Sequence, residues 1–165
     1  NHSFLLKMNK RQKMGKIMKQ IYVLLISSLF FSSAFASDLA GKWKTVDDKT
    51  GFSRADVMIT KNADGTYSGK IITIRPLPDK PLEPRCVNCK GSLKNVPLVG
   101  LQILTGFKAN PKTPNEFTNG TVLDPLSGNV YNGKAKITPR GNRLTMRGYI
   151  GVSLLGRSAT WIRID

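Results

Sequence analysis

The chain has 165 residues, with 26 Lys and Arg against 10 Asp and Glu, and a formal net charge of +16. The single His is His2, so nothing downstream can form the Ser–His or Cys–His pair of a hydrolase. The length fits one domain behind a leader.

The leader comes first in the chain. Lys19 supplies a positive start, Ile21 to Phe31 is an uncharged and mostly apolar run, and Ala34-Phe35-Ala36 precedes Ser37. Positive, apolar and small-residue regions in that order predict a secretory signal peptide cleaved after Ala36. A spanning helix needs roughly 20 apolar residues, which this run does not supply, so no transmembrane anchor is expected after cleavage. No Cys follows the cleavage position, which argues against lipid anchoring. Residue 1 is Asn, and Met8, Met14 and Met18 are candidate initiators. Residues 1–36 are therefore set apart as upstream residues plus signal peptide, and 37–165 is expected to form one exported domain, periplasmic or secreted. The leader holds six basic residues and no acid, which leaves 20 basic against 10 acidic residues for 37–165. A domain of that charge favours anionic neighbours such as acidic glycans, lipid head groups or acidic proteins. The basic residues are spread along the chain, and with export this argues against nucleic acid as a partner. A merely solvated surface is the competing reading.

After the leader, short β-type segments alternate with turn signals. Strands are predicted near 41–47, 54–60, 66–75, 98–106, 117–123, 130–137, 143–149 and 157–164. Asn62-Ala63-Asp64-Gly65, Asp124-Pro125-Leu126-Ser127-Gly128 and Pro139-Arg140-Gly141-Asn142 carry turn chemistry. Alternation assigns the faces. Tyr131, Gly133, Ala135 and Ile137 oppose Asn132, Lys134 and Lys136, and Leu144, Met146 and Gly148 oppose Arg143, Thr145 and Arg147. Glycines within strands mark bulges or bends of a small closed barrel. The expected fold is all-β, an eight-stranded antiparallel up-and-down barrel. Two segments fall outside the pattern: the Pro/Cys-rich loop at 76–97 and a Pro/Asn-rich loop at 108–116.

The segment Arg147-Gly148-Tyr149-Ile150-Gly151-Val152-Ser153-Leu154-Leu155-Gly156-Arg157-Ser158-Ala159-Thr160-Trp161 resembles a bacterial family of exported proteins known as domain of unknown function 2147. Gly41-Lys42-Trp43-Lys44-Thr45-Val46, Cys86-Val87-Asn88-Cys89-Lys90-Gly91 and Leu123-Asp124-Pro125-Leu126-Ser127-Gly128-Asn129-Val130-Tyr131 carry the same resemblance, in the same order. It implies a lipocalin-like (calycin) barrel and export, and it implies no activity. Gly41-x-Trp43 in the first strand also resembles the calycin G-x-W signature. That likeness implies a Trp at the barrel floor with an Arg of the last strand packed across it, and Arg157 and Arg163 are the candidates.

Cys86 and Cys89 are the only cysteines, and in an oxidising compartment a local disulfide is the default. A zinc site would need ligands from Asp79, Glu83 or a second chain, and a redox pair would need a helix start that this segment lacks. No metal or cofactor is expected. Val152, Leu154 and Leu155 are read as a cap over the barrel, with a sticky rim as the alternative. The favoured function is an exported, non-enzymatic binding module for an apolar or amphipathic ligand, with an anionic group as a further option. Tyr131, Gly133, Ala135, Leu144 and Met146 are the pocket candidates, with small interior residues leaving the room. The alternative is a non-enzymatic envelope interaction or structural module with a filled core, working through its basic surface and the 76–97 loop.

Overall fold

A computed structural model describes residues 37–165, apart from positions 48, 49, 79 and 153. The leader expectation lies outside the described residues. Eight strands follow one another: β1 (Gly41–Val46), β2 (Ala55–Lys61), β3 (Tyr67–Ile74), β4 (Gln102–Ala109), β5 (Glu116–Asp124), β6 (Asn129–Ile137), β7 (Arg143–Tyr149) and β8 (Gly156–Arg163). Each pairs antiparallel with the next, and β8 pairs with β1, so the sheet closes into a barrel. Closure leaves neither terminal strand with an unpaired edge.

The turns use the chemistry read from the sequence. Asp64 Oδ1 accepts the Thr66 amide and hydroxyl, and the Gly65 amide donates to the Asn62 carbonyl. Asp124 accepts the Leu126 amide and the Ser127 hydroxyl through its two carboxylate oxygens, and Gly128 closes that turn onto its carbonyl.

One expected strand is displaced. The fourth was expected at 98–106 and runs Gln102–Ala109 instead. Leu98, Val99 and Leu101 look strand-like because they are apolar, but Gly100 adopts a left-handed φ of 91° and turns the chain there. Gly106, with φ 72°, then bulges β4 so that Phe107 returns to the inner face. The Pro/Asn-rich loop is correspondingly shorter, and Glu116 already belongs to β5.

The core is made by the inner faces: Trp43, Val57, Ile59, Ile71, Leu104, Phe107, Phe117, Ala135, Ile137, Leu144, Met146 and Trp161 are all buried. Antiparallel alternation puts the two ends of the barrel under different loops. The starts of β1, β3, β5 and β7 define one end, together with residues 37–40. The β1–β2, β3–β4, β5–β6 and β7–β8 connections gather at the other.

Candidate functional site

The first end is shut. Trp43 and Arg163 are register partners across β1 and β8, and the Arg163 guanidinium carbon lies 4.3 Å from the centroid of the Trp43 ring. The indole N–H donates to the Leu39 carbonyl at 3.0 Å. Arg163 donates Nε to the Gly141 carbonyl, Nη1 to Ala40 and Nη2 to Asp38. Leu39, fully buried, plugs the same end. The Tyr67 hydroxyl bonds the Asp38 carboxylate, and burial together with that contact pushes its pKa up to about 12. One side chain thus ties the amino-terminal segment, the β6–β7 turn and the terminal strand over an indole.

The middle is filled by Phe107. A Cβ on Gly120 or Gly133 would collide with its ring, and one on Gly69 would sit 2.9 Å from Leu104. The room that Gly133 was expected to leave for a ligand is therefore taken by an aromatic ring from β4, two strands away. Sequence alternation places Gly133 inside, but it does not say which side chain fills the space it leaves. Of the five pocket candidates, Ala135, Leu144, Met146 and Gly133 are buried among core neighbours, and Tyr131 alone is partly exposed.

The second end is open. Ala55, Ile74, Val122, Tyr131, Gly148 and Ala159 occupy inward positions, yet each retains partial solvent exposure, whereas inward residues deeper along the same strands are buried. Burial rises from Tyr131 through Gly133, Ala135 and Ile137 along β6, and from Ala159 to Trp161 along β8. These six residues line the barrel end above the Phe107 layer.

Arg157 belongs to this mouth and not to the floor. It shares the inward parity of Arg163 on β8 but lies six residues away, roughly 20 Å at the rise of a strand. It pairs in register with Gly148 and is exposed. The floor partner is Arg163, and Arg157 stands at the rim. The expected cap is also overturned. Val152, Leu154 and Leu155 are exposed, because the β7–β8 connection projects from the barrel end. Gly156 keeps that connection tight, since a Cβ there would come within 2.8 Å of the Tyr149 Cβ.

The Pro/Cys-rich loop folds onto the outside of the sheet. Cys86 and Cys89 are joined by a disulfide and are buried in one apolar cluster with Leu101, Ile103 and Leu123. Asn88 donates its side-chain amide to the Leu126 carbonyl at 2.6 Å, and Gly128 lies so close that a Cβ would collide with the Asn88 carbonyl. The loop thereby grips the β5–β6 turn beside the mouth. Both thiols are consumed by the bridge, and among the described residues no three His, Cys, Asp or Glu side chains form a metal-sized cluster.

Two outer-face features were not read from the sequence. Arg75 holds the buried Asp56 carboxylate with two bonds, at 2.8 and 2.6 Å, and also donates to the Ser53 hydroxyl. Asp56 alternates as an outward residue, and only the tertiary position of Arg75 explains its burial. On the outside of β5, β6 and β7 lies a groove of about 270 Å³, lined by Lys134, Lys136, Arg147, Glu116, Thr118 and Thr145 among others.

A closed antiparallel meander of eight strands, with a Trp–Arg floor and an open apolar mouth, defines a lipocalin-like barrel. A Helicobacter pylori protein, HP1028, described as belonging to the lipocalin family, has the same fold at a TM-score of 0.64 and 17 % identity, over 78 % of this chain and 84 % of that one. Residues 41–163 match the family described as "Uncharacterized protein conserved in bacteria (DUF2147)", and the chain belongs to that family. Among curated proteins nothing matches its sequence.

Proposed function

We propose that the protein is an exported, non-enzymatic binding module that takes the apolar part of an amphipathic ligand into the mouth of the barrel. The observation that carries this reading is the gradient of burial along the inward faces. Inward residues of β2, β3, β5, β6, β7 and β8 become partly solvent-accessible together at the end away from the Trp43–Arg163 floor, which suits a cup. Tyr131 offers a hydroxyl within the mouth, and Arg157 at the rim suits a carboxylate or phosphate head group. Phe107 limits the depth, so the reading favours a ligand that is held at the entrance and not swallowed whole.

Native mass spectrometry of protein purified from its own envelope tests this. The expected spectrum shows a non-covalent small-molecule adduct that Arg157→Ser and Tyr131→Ala weaken. A spectrum of the bare chain alone would favour the second reading, a filled-core interaction module, which the Phe107 packing supports. Export is part of the proposal, and amino-terminal sequencing of the envelope fraction is expected to begin at Ser37. Recovery of the protein in the cytoplasm with its leader attached would remove it.

A further inference from the structure

The β7–β8 connection is the most exposed apolar segment in the described chain. Leu154 is 88 % exposed, Leu155 76 %, Ile150 70 % and Val152 63 %. A water-soluble surface does not ordinarily leave four large aliphatic side chains together without an occupant. The tip is also held in shape. Arg147 donates to the Leu154 carbonyl at 3.1 Å and to the Ser158 hydroxyl at 3.0 Å, and the Leu155 amide closes onto the Val152 carbonyl.

The charge around the tip selects the occupant. Arg147 and Arg157 flank it on the two strands of the hairpin, and Lys134 is the register partner of Arg147 on β6. The neighbouring β3–β4 connection, residues 75–101, carries five basic residues against two acidic ones, with Leu82, Val87, Leu93 and Val99 exposed among them. Phe52 and Leu126 expose further apolar surface from the other two connections at the same end. A protruding aliphatic tip behind a cationic collar matches a bilayer, with acyl chains below anionic head groups.

We propose that this end of the barrel docks onto an anionic phospholipid surface, with Leu154 and Leu155 inserted between head groups and Arg147, Arg157 and Lys134 meeting the phosphates. Docking would set the mouth against the membrane. The proposal stands whether or not the cup holds a ligand.

The test uses the protein recovered from the envelope fraction, carrying Leu154→Trp. Trp43 and Trp161 are both buried, so the introduced indole dominates any environment-dependent change in emission. The expected result with phosphatidylglycerol-containing vesicles is a blue shift and quenching by brominated acyl chains, with little response to pure phosphatidylcholine and release at high salt. In the otherwise unaltered chain, L154D/L155D should lower the vesicle-bound fraction at least tenfold with an unchanged melting curve, because neither side chain is packed. An indole that stays accessible to iodide while the protein co-sediments with vesicles would overturn the proposal. So would equal binding of L154D/L155D, or a wild-type dimer that the variant dissociates with no vesicle binding by either form.

Discussion

Arg163 lies flat over Trp43, its register partner across the β1–β8 seam, with every guanidinium nitrogen donating to a backbone carbonyl. The contact closes the sheet and the floor at once. Trp43→Ala should cost about 3–5 kcal/mol, the range for a large aromatic deleted from a core. Arg163→Ala should cost about 1–3 kcal/mol through the lost cation–π contact and the orphaned carbonyls. Arg157→Ala, at the rim, should stay within about 0.5 kcal/mol of wild type. Urea melts of the three variants check this ranking, and equal costs for the two arginines would contradict it.

Phe107 and Gly133 share one volume, and their substitutions should be coupled. Gly133→Ala alone forces the Phe107 ring to move and should cost about 1–3 kcal/mol. Combining it with Phe107→Leu should cost less than the two single changes added together, by about 0.5 kcal/mol or more. A double-mutant cycle measures the difference. Strict additivity would mean that the ring does not fill the space above Gly133.

The Asp56–Arg75 pair makes stability depend on pH. The Arg75 hydrogen bonds hold the Asp56 carboxyl below the ordinary carboxylate range against the opposing effect of burial, with Lys42 and Lys44 adding to the lowering. A carboxyl whose folded pKa is depressed contributes its full stabilisation above the unfolded value of about 3.9 and loses it as pH falls through the folded value. Asp165, lowered chiefly by the Lys42 amide, acts in the same direction. Arg75→Ala should cost about 1–3 kcal/mol at neutral pH, with the partial exposure of Arg75 discounting the pair. The gap to wild type should narrow below pH 4, because a protonated Asp56 no longer needs a cation. Thermal melts from pH 7 to pH 3 test this, and a constant gap would exclude the linkage.

The disulfide closes a very short ring and should stabilise by roughly 2 kcal/mol at most. It packs with Ile103 and Leu123, which alternate with the inward Leu104 and Val122 and so face outward from β4 and β5. Cys86→Ser with Cys89→Ser should loosen residues 85–98 and leave the barrel folded. Amide exchange is expected to accelerate in that loop while the β1–β8 seam keeps its protection. Loss of protection throughout would mean that the loop and the barrel unfold as one unit.

Period-two alternation, turn chemistry and in-strand glycines determined the strand number, seven of the eight strand positions to within about two residues and the inner faces of β6 and β7, because each of these is a local property of the backbone. The fourth strand escaped because an apolar run such as Leu98–Leu101 reads the same in a strand and in a docked loop, and only the left-handed turn at Gly100 separates them. The choice between Arg157 and Arg163 was likewise not local. Both share one parity on β8, and only closure of the barrel shows that one faces the floor and the other the mouth. Tertiary structure alone decided that Phe107 fills the space beside Gly133, that Arg75 reaches the buried Asp56, and that Leu154 and Leu155 stand in solvent. In each case the partner, or its absence, is fixed by strands distant in sequence, and no pattern within a single segment carries that information.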